Sequence, residues 1–209
     1  TDAEIEEVVV KGKVLQSDQV NALKTPTPII NVPQSLTIVT DEEMLEKGMR
    51  SIGDIVRYTP GVNTSQGEGH RDAVVFRGVR STADFFQDGA RDDVQYYRSL
   101  YNVEQVEILR GPNALLFGRG GTGGALNRVT KKAVIGDSSS SINLGMDSFG
   151  AFDVAADINM DMGDTMALRV NVHSDTLENH RDYYDGDRLG FNPTLSCLLY
   201  TSDAADEAD

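Results

Sequence analysis

The sequence predicts an α+β domain followed by a run of antiparallel β-strands, and two observations carry that division. Residues 1–132 hold 18 acidic and 16 basic side chains, whereas residues 133–209 hold 15 acidic and only three basic ones, Arg169, Arg181 and Arg188. The break falls at Gly136-Asp137-Ser138-Ser139-Ser140-Ser141. After it the hydrophobic period becomes two and stays there, the pattern of strands with two unlike faces. Across all 209 residues the net charge is −14, which excludes a general nucleic-acid binder, since that needs a basic footprint to collect phosphates. No apolar stretch reaches the roughly 18 residues of a membrane-spanning helix. A spanning barrel stays open, because its strands are only half apolar. Twenty Gly and 7% aromatic residues point to many turns, and a single cysteine, Cys197, excludes an internal disulfide and a Cys-cluster metal site.

The elements follow in order. Glu6-Glu7-Val8-Val9-Val10-Lys11-Gly12 is a short β-branched run able to form one extended strand. Residues 14–27 are polar, with Pro26 and Pro28 two apart, and read as a flexible linker. An extended strand on a loose tether suits addition to another protein's sheet edge; an edge strand of the following domain fits equally well. Ile29 to Thr40 is strand-like and punctuated by Pro33. Thr40 is placed to cap a short helix, with Glu43 as its capping-box partner and Gly48 as the stop. Ser51 caps a second helix through Ile52, Ile55 and Val56, ended by Pro60-Gly61. Val74 to Val79 reads as a strand ending in Gly78, Asp88-Gly89 as a hairpin turn, and Val103 to Arg110 as strand in its second half. Gly111-Pro112 opens a short helix over Asn113 to Phe117, with Pro at a permitted first-turn position. A glycine loop, Gly118 to Gly124, then leads into a strand from Ala125 to Lys131.

Beyond residue 137, Ile142, Leu144 and Met146 alternate with polar or small residues, as do Phe152, Val154, Ala156, Ile158 and Met160, and then Met166, Leu168, Val170 and Val172. Each run is about ten residues, long enough to cross a tilted bilayer path. Ser148-Phe149-Gly150 and Met162-Gly163-Asp164 make tight antiparallel connections, and Leu177 to Asp187 reads as a longer charged loop before a fourth strand near Leu189–Leu195. One face is apolar and the other acidic. A soluble sheet covering a core and a membrane barrel both satisfy this alternation.

The chain begins at Thr1 without a signal-peptide pattern, the expectation for a mature protein or an internal fragment. Residues 196–209 abandon the strand pattern for a small acidic stretch. It resembles translated sequencing adapter, a non-native end; a disordered acidic tail is the alternative.

Several segments resemble one family. Val106-Glu107-Ile108-Leu109-Arg110-Gly111-Pro112-Asn113-Ala114-Leu115-Leu116-Phe117-Gly118-Arg119-Gly120-Gly121-Thr122-Gly123-Gly124-Ala125-Leu126-Asn127-Arg128-Val129-Thr130-Lys131 resembles the motif closing the plug domain of TonB-dependent outer-membrane receptors. Glu7-Val8-Val9-Val10 resembles a TonB box, and Val32-Pro33-Gln34-Ser35-Leu36-Thr37-Ile38-Val39-Thr40 the plug's opening. Tyr58-Thr59-Pro60-Gly61-Val62, Phe76-Arg77-Gly78 and Asp88-Gly89 follow in family order. The wording is closest to the ferric-siderophore receptors. The resemblance implies a TonB box and linker over 1–28, a plug over 29–133, and the first strands, about four, of an incomplete outer-membrane barrel over 134–195. Barrels of this kind have about 22 strands, and four cannot close one in lipid.

What the resemblance implies is uptake, with no enzyme activity. A ferric siderophore binds outside, above the plug, and iron travels only as that cargo, with no resident cofactor. TonB pairs with Glu7, Val8, Val9 and Val10 in the periplasm and transmits the force that shifts the plug. The barrel sits in outer-membrane lipid of a Gram-negative cell with the N-terminus periplasmic. Arg77 is a candidate ligand contact by its motif; Arg80, Arg91, Tyr96, Tyr97 and Arg98 are candidates by their place in the loops. Guanidinium suits an anionic catecholate or carboxylate chelate, and Tyr offers a flat face with a hydroxyl. Residues 70–98 contain five Arg and five Asp, so the segment attracts anions by no net charge. In the family the arginine at Arg110 is structural and pairs with barrel carboxylates, which lie beyond this chain. Haem, cobalamin or a sugar as cargo, and a soluble α+β/β-sandwich binding module, are the alternatives.

Other patterns do not hold. The Gly118–Gly124 loop follows a helix and precedes a strand, the reverse of a dinucleotide-binding turn. His70, His173 and His180 lack ligand spacing, and Tyr183-Tyr184-Asp185-Gly186-Asp187 lacks the alternating acids of a calcium loop.

Overall fold

The structure is a computed structural model that describes residues 19–20, 27–28, 31, 35–65, 71–81, 84–92, 94, 96–111, 123–178 and 180–198. The expected Glu7–Val10 strand, the helix over Asn113–Phe117, most of the glycine loop and the chain end after residue 198 lie outside them. The chain divides into two compact units, one of residues 1–96 and 105–129, the other of residues 97–104 and 130–209.

The first unit opens with β1 (Gln19–Val20), paired antiparallel with β2 (Thr27–Pro28). Next comes β3 (Ser35–Thr40), which runs directly into α1 (Asp41–Glu46). Thr40 caps that helix, accepting from the Glu43 N–H at 3.3 Å. The expected capping box is only half made. The Glu43 carboxylate turns forward to Lys47 instead, a pairing that raises the Lys47 pKa above its ordinary value, and Gly48 at φ +61 ends the turn. The complete box belongs to α2 (Ile52–Arg57). There Ser51 Oγ accepts from the Asp54 N–H at 3.2 Å while the Asp54 carboxylate accepts from the Ser51 N–H at 3.1 Å. Ile52, Ile55 and Val56 from α2 join the core.

Two hairpins follow. β4 (Val62–Thr64), β5 (Val74–Phe76) and β6 (Val79–Ser81) form a three-stranded antiparallel sheet. The sequence suggested one strand from Val74 to Val79. Instead Arg77 (φ +47) and Gly78 (φ +88) turn the chain between β5 and β6, with both central residues at the positive φ that a type I′ hairpin needs. Asp88 (φ +49) and Gly89 (φ +77) do the same between β7 (Phe85–Gln87) and β8 (Ala90–Arg91), as expected. β9 (Val103–Arg110) and β10 (Gly124–Thr130) complete a five-stranded sheet in the order β3-β9-β10-β7-β8, with β10 and β7 parallel.

β9 is strand along its whole length and buried at nearly every position. Alternation is weak there because an interior strand of a covered sheet has no wet face. The fully buried Glu107 carboxylate accepts from Gln105 Nε2 at 2.7 Å and Asn127 Nδ2 at 2.9 Å. A Cβ on Gly124 would lie 2.5 Å from the Leu109 carbonyl oxygen and 2.6 Å from the Phe76 ring, so β10 tolerates no side chain there.

The second unit is a meander of β11 (Ser139–Met146), β12 (Phe152–Asp161), β13 (Met166–Glu178) and β14 (Asp185–Cys197). β13 and β14 are 13 residues each, longer than the sequence suggested. The ladder continues through Leu177↔Gly186 and Glu178↔Asp185, so the connection spans only residues 179–184 and not Leu177 to Asp187. Backbone pairing needs no apolar alternation, and the facing pair Asp175↔Arg188 supplies an ion pair where the alternation had faded.

The polarity of this sheet is the reverse of a soluble one. Cross-strand pairs Ile158↔Val170, Val172↔Phe191 and Leu168↔Leu195 gather the apolar residues on one face, even-numbered in β11–β13 and odd-numbered in β14. That face is exposed: Leu144 69%, Leu189 83%, Phe191 67%. The opposite face carries Asn159, Asn171, His173 and Asp175, all buried. Among the described residues no helix is long and apolar enough to cross a membrane.

An outward apolar face matches a lipid-facing wall. Leu144→Arg is therefore expected to cost about 2–4 kcal/mol near the bilayer midplane and to depress assembly of the full-length protein into membranes. Asn143→Lys, on the inner face, is expected to stay within about 0.5 kcal/mol. Heat-modifiable electrophoretic mobility reads both.

Candidate functional site

The six expected ligand contacts fall into different surroundings. Arg77 sits at the tip of the β5–β6 hairpin, where its N–H donates to the Gly61 carbonyl at 2.9 Å. A bulky residue at positive φ is an outlier that costs on the order of 1 kcal/mol or more. Arg80 lies three residues on, opposite Val75 in β6. Both side chains are exposed and have no hydrogen-bond or ion-pair partner among the described residues.

The others are engaged. The Arg91 guanidinium lies over the Phe86 ring at 5.6 Å. Tyr96, 37% exposed, donates its hydroxyl hydrogen to Asp92 Oδ2 at 2.7 Å and accepts from Arg128 Nη2 at 2.9 Å, so its hydroxyl already has a donor and an acceptor. Arg128, 5% exposed, also pairs with the Asp92 carboxylate and reaches Gln87 Oε1 at 3.1 Å. Sequence reasoning missed Arg128 as the organising group. Its signal was an arginine inside a short strand of mainly small and apolar residues, where a buried charge needs a carboxylate beside it. Tyr97 lies under the Arg188 guanidinium at 5.2 Å within the second unit. Arg98 is 1% exposed and so is not offered to solvent.

Arg110 also has partners other than those expected. Its Nη1 donates to the Pro60 carbonyl and its Nη2 to Thr37 Oγ1, each at 2.9 Å, while Nε is buried without a partner. These acceptors are neutral and lie in the same unit, where the sequence resemblance pointed to carboxylates beyond the chain. One guanidinium thus gathers three of the family motif segments, the end of β9, β3 and the Pro60-Gly61 turn, and Gly61 in turn holds Arg77.

Among the described residues no group of three or more His, Cys, Asp or Glu could hold a metal ion. The TonB-box candidates Glu7, Val8, Val9 and Val10 lie outside the described residues.

The family model described as the TonB-dependent receptor plug domain matches residues 28–125. The chain is 28% identical over 202 residues to the "Probable TonB-dependent receptor BfrD" of Bordetella pertussis, which covers 93% of this chain and 27% of that protein. It is 29% identical over 192 residues to the catecholate siderophore receptor Fiu of Escherichia coli, covering 86% and 24%. Among solved structures, the open form of the ferric-catecholate import receptor Fiu from E. coli matches 80% of this chain and 25% of its own, with 26% identity and a TM-score of 0.73. The siderophore receptor PiuA from Acinetobacter baumannii shares the fold at 24% identity, with a TM-score of 0.75 over 87% of this chain and 27% of its own. The chain spans about a quarter of the length of these relatives.

The two arginine environments predict opposite outcomes. Asp92→Ala strands the buried Arg128 charge and is expected to destabilise by about 3 kcal/mol. Arg77→Asn relieves a strained backbone and is expected to stabilise by about 1 kcal/mol. Urea unfolding followed by protease resistance of the plug measures both.

Proposed function

Since this chain belongs to the TonB-dependent receptors, of which it carries the plug domain and the first barrel strands, we propose that its parent protein takes up ferric siderophores across the outer membrane. The observation that carries this reading is the combination of a plug domain with a following sheet whose apolar face points outward. The matched relatives are transport receptors, several named for siderophores. Iron passes as cargo of its chelate, and the protein does no chemistry on it.

The barrel wall lies in outer-membrane lipid. β11 and β14 each expose a strand edge with no ladder partner among the described residues, and in hydrocarbon such edges must be closed by further strands. The N-terminus faces the periplasm, where Glu7, Val8, Val9 and Val10 add as a strand to TonB. Main-chain hydrogen bonds supply the grip whatever the side chains are.

Of the six loop residues, Arg77 and Arg80 are the pair best suited to an anionic chelate, because their guanidinium groups are exposed and, among the described residues, not spent on neighbours. Tyr96 offers its ring, its hydroxyl being engaged. Arg91, Tyr97 and Arg98 serve the packing of the loops.

Deleting the gene should abolish growth on one or more ferric siderophores as sole iron source. Unchanged growth on every ferric chelate, with loss of haem, cobalamin or carbohydrate use, overturns the cargo. In the full-length receptor, Arg77→Ala and Arg80→Ala are each expected to weaken ferric-chelate binding about tenfold or more, the loss of a charge-assisted hydrogen bond of about 1.5–3 kcal/mol. Equilibrium titration measures it.

A further inference from the structure

Tyr96 is held at both its backbone and its phenol. Its carbonyl accepts from the Asp72 N–H at 3.2 Å. Its hydroxyl donates to Asp92 Oδ2 at 2.7 Å and accepts from Arg128 Nη2 at 2.9 Å, while Arg128 and Asp92 pair with each other. The three groups close a triangle, and none can turn away without leaving the other two. Folding alone asks for no such support, because water can satisfy the hydroxyl of a partly exposed tyrosine.

The triangle is anchored in the sheet. Arg128 stands on β10 opposite Gln87 of β7, and its Nη2 also reaches Gln87 Oε1 at 3.1 Å. The preceding residue, Asn127, accepts from the Gly89 N–H at 3.0 Å and donates to the buried Glu107 carboxylate of β9 at 2.9 Å. Two consecutive residues of an interior strand therefore hold the tip of the β7–β8 hairpin and the loop that leads to Tyr96. Arg128, 5% exposed, lies too deep to meet a ligand itself, whereas the Tyr96 ring is 37% exposed.

We propose that Arg128 and Asp92 are positioning residues of the ligand site: they fix the Tyr96 ring before a ferric chelate arrives, so that an aromatic chelator meets a platform already in place. The inference rests on the proposed reading that the plug loops bind a ferric siderophore. A side chain immobilised only on binding lowers affinity, and one immobilised in advance does not. Releasing the Tyr96 hydroxyl is therefore expected to weaken binding about three- to tenfold. The loss falls on a chelate that stacks on the ring and spares one that has no ring.

The test is equilibrium titration of the full-length receptor in detergent with two probes. Ferric tris-catecholate presents flat rings, and ferric citrate has none. Tyr96→Phe keeps the ring and leaves the Arg128–Asp92 pair in place. It is expected to weaken tris-catecholate binding about three- to tenfold and to leave citrate binding unchanged. Asp92→Ala combined with Arg128→Met removes both charges together, leaves no stranded ion, and is expected to give the same selective loss. Adding Tyr96→Phe to that pair is expected to weaken binding no further, because both changes act through the same hydroxyl. Equal weakening of the two probes marks a merely structural role and overturns the inference. Unchanged tris-catecholate binding in Tyr96→Phe overturns it too, as does a further loss when Tyr96→Phe is added to the pair. An unaltered receptor that binds no ferric tris-catecholate overturns this inference alone, since growth of the deletion strain decides the cargo separately.

Discussion

Asp157 is the charge around which the inner face of the sheet is organised. It lies on β12, accepts a bidentate pair from Arg169 of β13 at 2.8 and 2.7 Å, and also accepts from Lys131 Nζ at 2.9 Å. The second unit holds few basic groups, so each must be spent where a carboxylate would otherwise be left without a counter-charge. A sheet with its apolar side outward has no other choice. The polar side chains turn inward, and a buried polar group costs free energy unless it finds another or a backbone partner; the Asn171 amide, fully buried, is an exception with no partner among the described residues. Asn159 and Ser196 meet that demand through the backbone of residues 131–137, and Arg188 through Asp175.

The first unit obeys the ordinary rule, with apolar residues inside, and its polar groups act as joints. Arg110 joins β3, β9 and the Pro60-Gly61 turn through two neutral acceptors. Arg128 joins β10 to β7 through Gln87 and to the loop after β8 through Asp92 and Tyr96. Glu107 joins β9 to β10 through Asn127, whose Oδ1 in turn accepts from the Gly89 N–H at 3.0 Å. The family motifs are scattered along the sequence, but the contacts around Arg110, Gly61 and Arg77 bring several of them together. Short words far apart in the chain fold into a single set of packed turns.

Those joints also sort the loop residues. An arginine that neutralises a neighbour has little charge left for a ligand, and a phenol with a donor and an acceptor already in place adds its ring and little else. Arg77 and Arg80 differ from Arg91, Tyr97 and Arg98 in this respect, although nothing in their residue types distinguishes them. The strained backbone at Arg77 points the same way, because asparagine or glycine would fit that turn more comfortably.

Local chemistry was legible in the sequence wherever it acts over a few residues. The caps at Thr40 and Ser51, the Asp88-Gly89 turn and the alternation of the period-two strands depend on neighbours in the chain, and they fold as read. The places where reading failed are those where distant residues decide. Glu43 turned to Lys47 and left its box half made; β9 lost its alternation because both its faces are covered; β13 ran on to Glu178 because β14 offered it a ladder. Arg128 was invisible as a hub, since its partners come from the β7–β8 hairpin and the loop beyond, some thirty to forty residues earlier in the chain. The sequence by itself determined the alternating faces, because periodicity is a property of the chain alone, and its ordered motif segments carried the resemblance to the family. Which face of the sheet is exposed and which arginines pair with neighbours among the described residues were decided only by tertiary structure, because burial and pairing exist only once remote segments meet.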